Sequence, residues 1–112
     1  MPDGWRKMWV LVFYDLPVAG PNERRAARKF HEFLVRQGFD RVHYSIYNRF
    51  CGSMERANTY ERRVEKAVPK RGYVCLLKLT DRQMANMRRW IKGGYDPHES
   101  AQFTPPEQYR LF

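Results

Sequence analysis

A run of apolar and aromatic residues near the start of the chain predicts a buried β-strand. The run extends from Met8 to Tyr14 and is rich in β-branched and ring side chains, which is typical of a strand covered on both faces. Pro17 cannot continue the strand, because proline lacks a backbone N–H donor. Asp15 therefore lies at the mouth of the strand, where open α/β sheets place their chemistry. It is the first candidate for a functional residue.

Two later segments have the apolar spacing of amphipathic helices. The first is expected to begin with Asn22 as its N-cap and to end at Gly38. The second begins at Ser53 and is stopped by Pro69, because the residue before a proline is driven out of the helical region. The apolar positions are Ala26, Ala27, Phe30, Phe33 and Leu34 in the first helix, and Met54, Ala57, Tyr60, Val64, Ala67 and Val68 in the second.

The segment between the two helices alternates apolar and polar residues, which predicts an extended backbone. Val42, Tyr44 and Ile46 repeat with the period of two that a strand requires. The alternation is compatible with one long bent strand and with two short strands joined near Ser45. Periodicity alone does not separate these two arrangements.

The pattern after the second helix predicts a further strand and a short helix. Residues 72–79 form a largely apolar strand. Thr80 and Gln83 then have the Thr-x-x-Gln spacing of a capping box, which opens the helix. The inner side of this helix is expected to carry Met84, Met87 and Ile91.

The predicted elements follow the order β-α-β(β)-α-β and end in a small helix. Two helices on one face of an antiparallel sheet give an α+β fold, a ferredoxin-like βαββαβ sandwich. Residues 1–94 are assigned to this domain, and residues 95–112 to a C-terminal tail that could form a strand in a dimer. The apolar and aromatic excess of so small a sheet predicts a homodimer formed through sheet edges.

The chain is strongly basic, with a formal net charge of +9 and a pI of about 9.9. Its basic residues are spread along the chain instead of lying in one tail, which favours a polyanionic partner and nucleic acid first. The guanidinium fork matches the geometry of phosphate, and no pattern indicates base-specific readout. The arginines expected on the phosphate-binding surface include Arg24, Arg25, Arg28 and Arg41.

Asp15 admits two interpretations. Directly after a strand, an aspartate is often a turn former or a helix cap. A single carboxylate can hold Mg²⁺ only as part of a larger site. A two-fold dimer that brings two Asp15 side chains together would supply the paired carboxylates of a metal-dependent nuclease.

Two alternative functions remain open on this fold. The stretch from Lys70 to Val74 partly matches the signature of the RNA-recognition motif, but Val74 and Cys75 stand where that signature needs a small residue and an aromatic. A single-strand RNA-binding module would need exposed aromatic residues on the sheet face. The other alternative is a toxin-like ribonuclease of similar architecture.

The motifs, taken in order, resemble the small CRISPR-associated Cas2 proteins. The resemblance rests on Phe13-Tyr14-Asp15-Leu16-Pro17, an arginine-bearing helix, and Arg41-Val42-His43-Tyr44-Ser45-Ile46-Tyr47. The segment from Gly72 to Gln83 is similar to the version found in type II systems. The resemblance covers roughly residues 8–92.

This resemblance implies a homodimer that sits between integrase subunits of the CRISPR adaptation complex during the acquisition of new spacers. It also implies a Mg²⁺-dependent endonuclease acting on RNA or double-stranded DNA. By position, Asp15 matches the catalytic, metal-binding acid that faces the dimer mate. Basic positions of the family are matched by Arg24, Arg28 and Arg41, and supporting positions by Tyr14, Ser45 and Tyr47.

Cellular location and redox state follow from the termini and the cysteines. The first residues are polar, and the apolar run after them has no small-residue cleavage site, so no signal peptide is expected. A cytoplasmic protein without membrane contact is predicted, with Cys51 and Cys75 as free thiols.

Overall fold

A computed structural model describes residues 7–90, 92 and 93 of the chain. The elements are β1 (Met8–Asp15), α1 (Pro21–Arg36), β2 (Asp40–His43), β3 (Ile46–Phe50), α2 (Met54–Ala67), β4 (Tyr73–Thr80) and α3 (Asp81–Ala85). The four strands form one sheet in the order β2-β3-β1-β4, and each neighbouring pair is antiparallel. This is the predicted ferredoxin-like βαββαβ arrangement, and the α+β fold class is confirmed.

The central position of β1 gives the sheet two unequal faces. Met8, Val10 and Val12 are buried beneath the helices, whereas Phe13 on the opposite face is exposed. The prediction that this strand is covered on both faces is wrong for the single chain. Both long helices contribute to the same core cluster, so they cover the same face of the sheet.

The core lies between that face and the two long helices. Phe30 and Leu34 of α1 and Tyr60 and Val64 of α2 are buried against β1 and β3. Burial of a large apolar side chain contributes about 1.5–3 kcal/mol relative to leaving it in water. The helical spacing read from the sequence therefore identified the residues that hold the two layers together.

Helix α1 begins earlier than predicted. Its N-cap is Gly20 and not Asn22, and Pro21 occupies the first turn. The Glu23 carboxylate accepts hydrogen bonds from the backbone N–H groups of Ala19 at 3.0 Å and Gly20 at 3.1 Å. Proline is favoured in a first turn because its missing N–H needs no partner there, and an acid at this end complements the helix dipole.

The extended segment after α1 is a hairpin of two short strands, not one bent strand. His43 of β2 pairs with Ile46 of β3, so Tyr44 and Ser45 form a two-residue turn. A bulge lies between Arg41 and His43. The hairpin therefore ends close to the mouth of β1, where the Tyr14 N–H donates to the Ser45 carbonyl at 3.1 Å.

The predicted limits of α2 are confirmed. Ser53 is its N-cap and accepts a hydrogen bond from the Arg56 N–H at 3.1 Å, and the helix ends two residues before Pro69. Lys78 of β4 ties the sheet to this helix, because its Nζ donates to Asn58 at 2.8 Å and to Glu61 at 2.7 Å.

The last helix is shorter than predicted. The capping box of Thr80 and Gln83 is present, but α3 ends at Ala85 and has no buried residue. Met87 is 41% exposed, so its predicted inward position is wrong, and Ile91 lies outside the described residues. The capping box starts the helix, but no apolar face packs on the sheet to extend it.

Three further predictions concern the cysteines, membrane contact and the C-terminal tail. Cys51 and Cys75 are free thiols, as expected. In the part of the chain that the structure describes, no helix is long and apolar enough to cross a membrane. The C-terminal tail from residue 95 lies outside the described residues, so the domain division stays a prediction.

Replacing Gly72 with alanine is expected to destabilise the fold more than the same change at Gly52. Both glycines have positive φ, +128° and +84°, so both variants carry backbone strain of about 1 kcal/mol or more. A Cβ at Gly72 would also clash with Leu16 Cδ2 and lie 3.3 Å from the Asp15 carbonyl oxygen, whereas at Gly52 its nearest contact is 4.0 Å away. Urea denaturation of Gly72→Ala and Gly52→Ala measures the difference, and equal losses would contradict the steric argument.

Candidate functional site

Asp15 is the last residue of the central strand and is exposed. On one side it pairs with Tyr73 of β4, while the ladder to β3 ends two residues earlier at Phe13 and Ile46. Side chains alternate along a strand, so Asp15 lies on the same face as Phe13, away from the helices. The acid is thus presented at one end of the open face of the sheet.

We use the term open face for the strand positions that the helices leave uncovered. Residues directly opposite each other in the ladder share a face. The open face consists of Trp9, Leu11, Phe13 and Asp15 of β1, Asp40 and His43 of β2, Ile46, Asn48 and Phe50 of β3, and Tyr73, Cys75, Leu77 and Leu79 of β4. Tyr73 is 62% and Leu77 48% exposed. These positions are mostly apolar or aromatic and include two acids, Asp15 and Asp40, one histidine and no lysine or arginine.

A single chain does not assemble a metal site around Asp15. Among residues 7–90, 92 and 93, no group of three or more His, Cys, Asp and Glu side chains could hold a metal ion. Mg²⁺ keeps several waters and is commonly bound by one or two carboxylates together with phosphate oxygens of the substrate. One exposed carboxylate fits such a site if a second protomer or the substrate supplies the remaining oxygens.

Tyr14, the residue before Asp15, points to the helix side and belongs to a chain of polar contacts. Its hydroxyl donates to the Tyr47 hydroxyl at 3.2 Å, and the two rings are stacked with centroids 5.8 Å apart. The Tyr47 hydroxyl in turn lies 2.5 Å from Nδ1 of His31 on α1. Burial is the main cause that raises the pKa of both tyrosines, so both remain protonated at neutral pH.

Arg41 supplies a positive charge near these contacting side chains. Its Nη2 donates to the Tyr44 carbonyl at 3.3 Å, and its guanidinium lies 4.9 Å from the Tyr44 ring centroid. Burial lowers the pKa values of His31 and His43, and the positive charge of Arg41 lowers them further. Both imidazoles are therefore neutral at pH 7.

The predicted phosphate-binding arginines do not form one cluster. Arg24 Nη1 donates to the carbonyls of Val18 at 3.3 Å and Ala19 at 3.2 Å, so it holds the loop before α1. Arg25 donates to Asn22 at 2.9 Å, whereas Arg28 is exposed on the same helix. Arg41 lies apart from these three, on β2.

Of the predicted site residues, the fold brings Tyr14 and Tyr47 into contact and places the Ser45 carbonyl on the Tyr14 backbone. Sequence reasoning missed His31, which reads as one of three scattered histidines. The available signal was its place on α1, directly after Phe30 and three residues before Leu34, at the border of the apolar face.

Comparison with known families decides the relationship. The family model described as CRISPR associated protein Cas2 matches residues 8–87. The chain belongs to the Cas2 family. The matched residues include the open face, Asp15 and the three residues Tyr14, Tyr47 and His31 that contact one another. The match confirms the predicted family.

Curated relatives from this family match most or all of the chain. The protein named CRISPR-associated endoribonuclease Cas2 2 of Rhodospirillum rubrum is 68% identical over 112 residues, which is 100% of both chains. The CRISPR-associated endoribonuclease Cas2 of Paracidovorax avenae is 37% identical over 112 residues, again 100% of both chains. That of Flavobacterium psychrophilum is 35% identical over 108 residues, 96% of this chain and 90% of the relative.

Ser45 is predicted to tolerate loss of its hydroxyl. The residue is 1% exposed, and its Oγ has no hydrogen-bond partner among the described residues. A buried hydroxyl without a partner costs about 1–3 kcal/mol. The Ser45→Ala variant should therefore be at least as stable as the wild type in urea denaturation. A loss above about 1 kcal/mol would show that the hydroxyl is satisfied in solution.

Proposed function

We propose that this Cas2-family protein is a dimeric, Mg²⁺-dependent endonuclease of a CRISPR system, with Asp15 of each protomer as its catalytic metal ligand. The observation that carries the proposal is the position of Asp15, exposed at the end of the central strand and on a mostly apolar open face. The relatives are named endoribonucleases, which favours RNA over double-stranded DNA as the substrate.

The open face supports a dimer built by packing two sheets face to face. The sequence predicted a dimer through sheet edges. Pairing two β4 edges would separate the two β1 strands by three inter-strand spacings, about 14 Å, which is too far for two Asp15 carboxylates to share one ion. Packed sheets lie about 10 Å apart with their side chains interdigitated. Face packing therefore covers the apolar residues and lets the carboxylates meet.

The open face is less suited to RNA, although it carries the exposed aromatic residues that an RNA-recognition module needs. Phe13, Phe50 and Tyr73 are exposed there. Modules that stack bases on aromatic rings also place cationic side chains along the backbone of the nucleic acid. No strand position of the open face is a lysine or an arginine. This composition favours a second copy of the face over RNA, and family membership favours a CRISPR function over a toxin-like ribonuclease.

The residues of the chain have separate tasks in this proposal. A bound Mg²⁺ would orient a water and neutralise charge on the scissile phosphate. Asp15 would hold the ion, and its pairing with Tyr73 keeps the carboxylate in place before the substrate binds. Arg25, Arg28 and Arg41 would bind backbone phosphates. Arg24 would support them by holding the loop before α1.

The basic helical layer also supports a role that needs no cleavage. A net charge of +9 with exposed arginines on α1 suits binding of duplex DNA through its phosphates. In this second role the dimer is the bridging subunit between integrase subunits of the CRISPR adaptation complex, in the cytoplasm. Asp15 is dispensable for it, so the two roles can be separated by mutation.

The Asp15→Asn variant is expected to lose at least about 100-fold of the Mg²⁺-dependent cleavage of single-stranded RNA, because the amide is a poor ligand for the ion. Cleavage of labelled RNA and duplex DNA measures the effect. Unchanged cleavage would contradict the role of Asp15. Cleavage absent from the wild type would leave the bridging role alone.

A binding measurement serves as the control for this experiment. Asp15→Asn should bind duplex DNA at least as tightly as the wild type, because a carboxylate makes no favourable contact with phosphate. Arg28→Ala should weaken binding to every duplex sequence and reduce the slope of log affinity against log salt by about one. A loss confined to certain sequences would contradict a phosphate contact.

Leu77→Asp is expected to abolish the dimer. Leu77 is 48% exposed on the open face, and a carboxylate buried there without a partner would cost several kcal/mol. Val35→Asp is the matched control, because Val35 is 50% exposed but lies on α1, on the other side of the sheet. Sedimentation velocity should show a monomer for the first variant and a dimer for the second. Two dimers would reject the face-to-face arrangement.

A further inference from the structure

A continuous chain of polar contacts joins helix α1 to the end of the central strand. It runs from Nδ1 of His31 to the Tyr47 hydroxyl at 2.5 Å, and from there to the Tyr14 hydroxyl at 3.2 Å. Tyr47 is completely buried, so its hydroxyl depends on these protein partners. This series of polar contacts joins three elements, α1, β3 and β1, and it ends at Tyr14, one residue before Asp15.

The backbone that carries Asp15 needs this support because the sheet holds it on one side only. Asp15 pairs with Tyr73 of β4, but the ladder to β3 ends at Phe13, and the Tyr14 N–H donates to the Ser45 carbonyl in the hairpin turn. The Tyr14 ring is fixed by the stack on Tyr47 and by an edge contact with Phe30 at 5.1 Å. The orientation of the Tyr14–Asp15 peptide is thus set by the helix-side packing of Tyr14.

We propose that His31 is a positioning residue for Asp15. Its neutral imidazole accepts the proton of the Tyr47 hydroxyl, which leaves the Tyr47 oxygen to accept from Tyr14 and so fixes the strand end that carries the carboxylate. His31 touches neither substrate nor metal in this scheme. The inference deepens the proposed function, since it concerns the placement of the acid on which that function rests.

The charges around His31 determine when this arrangement is lost. Arg41 faces it from β2, Tyr47 from β3 and Tyr14 from β1 through Tyr47, while Glu32 lies on its own helix. Burial and Arg41 lower the pKa of His31, and Glu32 opposes them. Protonation puts a hydrogen on Nδ1, so Tyr47 loses its acceptor and the direction of the chain must change.

The direction of the pH effect follows from this lowered pKa. In the unfolded chain a histidine binds a proton near pH 6.5, whereas the folded protein resists protonation until lower pH. The arrangement is therefore intact at neutral pH. It is lost as the pH falls through the lowered pKa of folded His31, and stability decreases below about pH 6.5.

Two-dimensional NMR of the full-length protein tests the inference without relying on cleavage. In the wild type, the backbone amide resonance of Asp15 should shift with a midpoint equal to that of the His31 ring and below about 6.5. In His31→Gln, whose side-chain oxygen can still accept from Tyr47 but does not titrate, this shift should be absent. His43→Gln is the matched control, because His43 is also neutral and near Arg41 but is not one of the three residues His31, Tyr47 and Tyr14. It should keep the shift.

Activity gives a second readout. The kcat of the wild type for RNA cleavage should fall roughly tenfold per pH unit below the His31 midpoint. In His31→Gln this decrease of kcat at low pH should be absent, and KM should be unchanged. If His31→Gln does not fold, Tyr47→Phe replaces it, because the ring packing is kept while the hydroxyl is removed. In the Tyr47→Phe variant, too, the backbone amide resonance of Asp15 should no longer shift with the midpoint of the His31 ring.

The outcomes distinguish this inference from the proposed function. An Asp15 shift that persists in His31→Gln or in Tyr47→Phe would overturn the positioning role, whatever the activity. A coupling that is present and lost as expected, in a protein that cleaves neither RNA nor DNA, would support the positioning role and reject the nuclease function alone.

Discussion

Burial of one sheet face by two helices is the constraint on which the rest of the structure depends. The same core cluster takes its residues from β1, β3, α1 and α2, so both long helices are used on one side. The third helix in the described part of the chain has five residues and none of them is buried. The opposite face therefore remains mostly apolar and uncovered, and an exposed apolar surface of this kind commonly marks an interaction site.

The uncovered face also carries Asp15, the residue on which the proposed nuclease activity depends. Asp15 lies at one end of it, and among the described residues no group of three or more His, Cys, Asp and Glu side chains could hold a metal ion there. In the proposed dimer, Asp15 of one protomer meets Asp15 of its partner through symmetry, so the proposed assembly and the proposed catalysis use the same surface. The polar chain from Tyr14 to His31 lies on the other side of the sheet and connects that surface to the helical layer.

The large positive charge is only partly available for nucleic acid. Arg24 holds the loop before α1, and Arg71 pairs with Glu23 at 3.1 Å. Arg49 donates to the Gln37 carbonyl at 2.7 Å and lies 4.2 Å from the Tyr60 ring centroid. These guanidiniums tie loops and helix ends together. Net charge indicates the class of partner, but the contacts decide which arginines can meet it.

Local signals in the sequence determined the elements and their order. Ser53, Pro69 and the capping box at Thr80 act within a few residues of the backbone they terminate or start, so the pattern identifies them without tertiary information. The alternation after α1 did not show whether the segment turns at Ser45 or continues as one strand. Asp15, at the end of β1, was identified as a candidate, but the sequence did not show which residues surround it.

Only the tertiary structure decided which face of β1 is covered, which arginines are occupied and which side chains contact Tyr14, the residue before Asp15. A strand that is apolar on both faces has the same sequence whether a helix, a second sheet or nothing covers it. His31 and Tyr14 are 17 residues apart and meet through Tyr47, a contact set by the packing of α1 across the sheet. Contacts between distant segments leave no periodic signal, and for that reason the sequence located the acid but not the residues that hold it.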